Sequence, residues 1–146
     1  MYAFLQQVNP AASQDFSVSG RIAWAIYCYH AGDAAMQSGD LTAAVTILTE
    51  AIHAFPFPAS LGLLGECLFL EGKFVEATIY LAAAIGMSAQ HEFRGLFLLG
   101  KALAAANDNY VSKIILEKAI SLEPDQEALA LLSEIISRSA STDQRT

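Results

Sequence analysis

Charge is scarce in this chain, and positive charge most of all. Asp, Glu, Lys and Arg make up 16% of its 146 residues, where about a quarter is usual. Lys and Arg number 8 against 15 Asp and Glu, a net charge of −7. No basic run occurs anywhere. Phosphate binding needs local positive charge, so neither nucleic acid nor an anionic membrane surface is an expected partner. Cysteine is scarce as well. Cys28 and Cys67 share no close spacing, and each falls in an apolar helical stretch. They read as reduced, buried small hydrophobes rather than a disulfide framework, and a reducing compartment, the cytoplasm, is expected. No window holds 18 or more uncharged apolar residues, so no transmembrane helix is predicted. The opening "MYAFLQQVNPAASQDF" lacks a basic stretch followed by a long apolar run and does not read as a secretory signal.

Chemistry-bearing motifs are missing too. His30, His53 and His91 are dispersed, with no His-Glu-x-x-His, no Cys-x-x-Cys and no calcium-type carboxylate ladder. Gly100-Lys101 lacks the preceding glycine and following hydroxyl of a phosphate loop, and "SVSG" is not a nucleophile elbow. His53 reads as a surface or half-buried helical residue, and Glu66 as a polar residue beside packed Cys67. The expectation is a non-enzymatic protein with no catalytic residues, no metal site and no cofactor.

What is abundant is apolar surface. Hydrophobic residues make up 54% of the chain, so it either buries more than a monomer of its size usually does or keeps some apolar surface for a partner. The pattern is repetitive. Gly32, Gly65 and Gly100, 33 and 35 residues apart, sit in "YCYHAGDAA", "LGLLGECL" and "LFLLGKAL". Seven residues after each stands Gly39, Gly72 or Asn107, the types that best adopt the left-handed conformation closing a helix. Then come small Ala44, Ala77 or Ser112, followed by Leu48, Leu81 or Leu116 and by Ala51, Ala84 or Ala119. Pro56 and Pro124 stop the outer units. Leu61, Leu64 and Leu68, like Leu96, Leu99 and Leu103, recur at helical spacing. Each unit therefore reads as helix, turn, helix. A glycine inside a helix costs about 1 kcal/mol against alanine. The spacing pairs Gly32 with Ala44, Gly65 with Ala77 and Gly100 with Ser112, as close approaches of small residues that offset the cost. Gly62 has no repeated counterpart, its equivalents being Tyr29 and Phe97. It reads either as a recess in a binding surface or as relief of local crowding.

Three such units in register, from about Ala25 to Gln126, resemble the tetratricopeptide repeat family. The resemblance rests on Gly32, Gly39, Ala44, Leu48, Ala51 and Pro56 in the first unit. Leu64, Gly65, Gly72, Phe74, Ala77, Leu81 and Ala84 carry the second, and Leu99, Gly100, Leu103, Leu116, Ala119 and Pro124 the third. Asn109 departs from the pattern where Leu41 and Phe74 stand, with Tyr110 one place later expected to compensate. A narrower similarity, to the small acidic chaperones of type III secretion translocators, lies in the chain's size and acidity and in "LGLLGECLFLEGKF" and "HEFRGLFLLGKALAAAND". The family implies an all-α solenoid. Its organisation here is an N-terminal segment over 1–19, repeats at 20–57, 58–91 and 92–125, a capping helix at 126–138 and a frayed tail at 139–146. Ser19 is the expected cap of the first helix. Ala128, Leu131, Leu132 and Ile135 are expected to cover the last repeat.

The first helices of such a solenoid line its concave side. The residues just off the packing stripe are Ile26, Tyr29, Asp33 and Met36, then Ala59, Gly62, Glu66 and Phe69, then Arg94, Phe97, Lys101 and Ala104. Tyr29, Met36, Phe69 and Phe97 offer aromatic and thioether surface for apolar anchors. Asp33 and Glu66 form an acidic end and Arg94 and Lys101 a basic one. Some family members clamp a peptide's terminal carboxylate with Lys and Asn in the first unit, whereas Tyr29 and Asp33 stand at those places here. The leading expectation is an adaptor or chaperone-like module that holds a partner's peptide segment in its groove. The alternative is a self-associating subunit, a homodimer through residues 1–20 and the first repeat, with the groove filled by its own N-terminal segment or a neighbour's.

Overall fold

The structure, a computed structural model, describes residues 17–143. Among them are seven helices and no strand: α1 Val18–Gln37, α2 Leu41–Ala54, α3 Pro58–Leu70, α4 Phe74–Met87, α5 Phe93–Ala105, α6 Asn109–Leu122 and α7 Gln126–Asp143. Each packs on the next, and α1, α3, α5 and α7 also touch in series. The result is the all-α solenoid of three hairpins and a capping helix. Whether the N-terminal segment fills this chain's groove or a neighbour's, or joins a homodimer, concerns residues that lie, up to 16, outside those described.

The turns follow from three left-handed residues, Gly39 at φ 87°, Gly72 at φ 82° and Asn107 at φ 65°. At each, two backbone hydrogen bonds close the first helix in the same way. Asp40 N–H donates to Ala35 and Gly39 N–H to Met36 in the first unit, with Lys73–Leu68 and Gly72–Phe69, then Asp108–Leu103 and Asn107–Ala104, repeating it. This is the paired-bond stop that absorbs a helix's orphan carbonyls. It turns the chain back, so the two helices of a unit lie side by side.

Their close approach runs through leucine. A Cβ on Gly65 would lie 2.6 Å from Leu81 Cγ, one on Gly32 2.7 Å from Leu48 Cγ, and one on Gly100 2.6 Å from Leu116 Cδ2. The expected glycine partners, Ala44, Ala77 and Ser112, lie one turn earlier. They are fully buried, and Ser112 donates its hydroxyl to the Gly100 carbonyl at 2.7 Å. Leucine, not the small residue, thus occupies the space the glycine vacates.

One core runs from Trp24 and Cys28 through Leu48, Leu64 and Leu81 to Leu99 and Ala102. A second joins Ala104, Leu116 and Ile135, with Phe97, Leu131 and Leu132 against it. Ala128 is also fully buried, so α7 covers the last repeat with the face expected of it. Three details differ from expectation. Ser17, not Ser19, caps α1, its hydroxyl accepting from Gly20 N–H at 3.0 Å. Helix α7 runs past residue 138 to Asp143. Tyr110 is 77% exposed and fills no gap, while Asn109 is itself half-buried, its Oδ1 without a partner among the described residues.

Candidate functional site

The first helices of the three units, with the end of α4 and the loop after it, enclose an open groove of about 840 Å³. Of the residues expected on the concave side, Tyr29, Asp33, Met36, Ala59, Gly62, Glu66 and Arg94 line it. Leu63, Ile85, Gly95, Leu98 and the loop residues His91 and Glu92 join them. Gly62 opens the wall. A Cβ there would meet only the Ala84 methyl, at 3.7 Å, an ordinary contact. The glycine relieves no crowding, and its missing side chain is groove space.

Ile26 lies beside this groove rather than in it. It is exposed, and with Tyr29, His30, Phe57, Pro58, Ala59 and Ser60 it lines a neighbouring pocket of about 300 Å³. The two spaces share Tyr29, Pro58 and Ala59. Ser60 is fully buried, and its hydroxyl has no partner among the described residues.

Phe69, Phe97 and Lys101 do not line the groove. Phe69 packs on the main core and on Phe74, at 5.4 Å between ring centres. Phe97 stacks on Phe93 at 5.4 Å and packs against the second core. Lys101 Nζ stands 5.0 Å from the centre of the Phe97 ring, 5.7 Å from that of Phe69 and 3.3 Å from Glu127 Oε1 of α7. Ala104 is buried. The cause is the stacking itself. Each first helix is flanked by the next one, so α7 claims the flank of α5 that an isolated unit would leave open.

The separate acidic and basic ends are therefore absent. Glu66 and Arg94 bond to each other across the groove, with Arg94 Nη2 2.9 and 3.2 Å from the two carboxylate oxygens. The arginine side chain is 74% exposed, so this pair adds little stability. Its effect is to neutralise the groove's guanidinium. Asp33 is half-buried on α1 and has neither an ion pair nor a hydrogen-bond partner among the described residues.

Behind the wall lie the two free, buried thiols. Burial, and then the charge of Glu50, pushes Cys28 up to about 12. Burial, and then the charges of Glu66, Glu71 and Asp33, pushes Cys67 up to about 11. Both stay protonated and unreactive near neutrality. Among the described residues no three His, Cys, Asp or Glu side chains gather to hold a metal ion. None of the described helices is long and apolar enough to cross a membrane.

Sequence reasoning missed Phe57, Ser60 and the α4–α5 loop as wall residues. The two-residue surplus around "MSAQHEF" was the available signal, since a longer link swings toward the groove instead of turning tightly.

No curated protein sequence matches the chain. Among solved structures, the first tetratricopeptide domain of human RPAP3 superposes with a TM-score of 0.72 at 22% identity, covering 84% of this chain and 98% of that one. The first such domain of Spaghetti (RPAP3), bound to the HSP90 peptide SRMEEVD, gives 0.75 at 21% identity, covering 82% and 95%. The second domain of human RPAP3, in complex with the HSP70 peptide SGPTIEEVD, gives 0.69 at 18% identity, covering 82% and 98%. At such identities the likeness is one of fold. Two family models described as tetratricopeptide repeat match residues 29–92 and 93–126, meeting without a gap across all three hairpins. With the three helix stops and three glycine–leucine contacts repeating in register, the chain belongs to the tetratricopeptide repeat family.

Proposed function

We propose that this protein is a non-enzymatic adaptor or chaperone-like module that holds a peptide segment of another protein in its concave groove. The observation that carries this reading is the groove itself: about 840 Å³, open, and walled by the first helices of all three units. Two structures of the same fold are described as bound to HSP90 and HSP70 peptides, which supports the use of this fold for peptides. Tyr29 and the Gly62 recess offer the apolar part of the contact. The unpaired, protonated thiols fit a reducing compartment such as the cytoplasm.

The test is a pair of substitutions read on peptides selected for binding to the full chain. Tyr29→Ala removes an apolar contact, and Gly62→Leu pushes a side chain into the recess. Loss of an interface anchor costs about 2 kcal/mol, roughly thirtyfold in affinity. Both variants are expected to weaken binding on that scale while the helical signal stays unchanged. Full binding by both would move the site off this groove.

A further inference from the structure

The groove's charge is one-sided once its ion pair is counted. Asp33, Glu66 and Glu92 line it against the single guanidinium of Arg94, which Glu66 already holds. Asp33 is left with no partner among the described residues. A second feature lies beside it. The pocket of Ile26, Tyr29 and Phe57 is apolar, and the Ser60 hydroxyl behind it is sealed, with no partner among the described residues. Helix α3 begins there without a side-chain cap on Phe57. The recess thus suits an apolar side chain of a bound segment. Tyr29 separates this pocket from Asp33, which follows it by four residues, one helical turn or about 6 Å. An extended peptide advances about 3.3 Å per residue, so two or three residues span the gap.

Resting on the peptide-holding reading above, the geometry points to a specific ligand class: an extended segment with an apolar residue two or three positions from a Lys or Arg. The apolar side chain enters the Ile26–Tyr29–Phe57 pocket, and the cation pairs with Asp33. An acidic segment such as SRMEEVD is disfavoured by the same charges.

Selection of a random displayed peptide library on the immobilised full chain tests this, followed by fluorescence anisotropy of individual labelled peptides. Enrichment of an apolar residue two or three places from Lys or Arg is expected. Asp33→Asn should weaken the selected peptides about tenfold or more, the size of one charge-assisted hydrogen bond, and Asp33→Lys should favour acidic ones. Arg94→Ala frees Glu66 and should tighten basic peptides. Affinity should fall as salt rises. Circular dichroism of each variant separates loss of charge from loss of fold. Peptides that need Tyr29 yet show no basic preference, or tight binding of SRMEEVD, overturn this inference and leave the groove reading intact. No Tyr29-dependent peptide at all overturns both.

Discussion

Gly65 and Gly62 sit three residues apart on one helix and predict opposite outcomes. A methyl on Gly65 would stand 2.6 Å from Leu81 Cγ and 3.1 Å from the Leu81 backbone nitrogen, so the hairpin must open. Gly65→Leu is expected to lose about 1–3 kcal/mol or more through overpacking. Gly62→Ala meets only Ala84 at 3.7 Å and removes a helix-interior glycine, so a gain of about 0.5–1 kcal/mol is expected. Urea unfolding of the two variants checks both signs. That the glycines mark close helix contacts was legible from their spacing. That leucine fills the gap was not, because residues one turn apart share a face and only the crossing of the two helices selects between them. The thiols give a pH dependence. Each is raised above 9.0 in the folded state, to about 12 for Cys28 and about 11 for Cys67. Folding thus favours the protonated form, a contribution fully present below pH 9 and lost as pH rises through 11 and 12. Unfolding curves above and below pH 9 should show this decline, and Cys28→Ala should make it shallower.

At the scale of the helix, the three units differ in how their second helices begin. Asp40 accepts from Ala43 N–H at 3.1 Å and Asp108 from Val111 N–H at 3.2 Å. Lys73 occupies the same place in the middle unit and caps nothing, although its φ −89° and ψ 70° nearly match the −87° and 78° of Asp40. The backbone is already set for a carboxylate. Lys73→Asp should therefore stabilise the protein by about 1 kcal/mol, the usual worth of a cap, despite losing the exposed contact with Glu71 at 3.5 Å. A thermal melt decides it. Helix stops were easier to read than helix starts. Each stop needs a residue tolerant of positive φ, and few types qualify. Starts admit several hydroxyl and carboxylate residues in a row, which is why Ser19 stood in for Ser17. Tyr110 shows the limit of pattern matching: one step along a helix rotates a side chain by about 100°, enough to carry it from the core to water.

For the molecule as a whole, the inner wall was only half legible. Periodicity located Tyr29, Asp33, Gly62 and Glu66, because it reports which side of a helix faces away from its own hairpin. It did not report what the next unit covers, which is how Phe69, Phe97 and Lys101 left the groove. Phe97→Ala is accordingly expected to cost about 3 kcal/mol of stability while leaving peptide affinity per folded molecule unchanged. Unfolding and titration of the same sample separate the two. Lys101 has a wider reach than any one contact suggests. Its ammonium is shared by a ring of α3, a ring of its own helix and a carboxylate of α7. Three successive layers of the stack thus meet at one side chain. Removing the charge while keeping most of the stem, as Lys101→Gln does, therefore costs a little at two seams at once, about 1 kcal/mol in all for contacts this exposed, while buried Ala128 and Ile135 keep α7 seated.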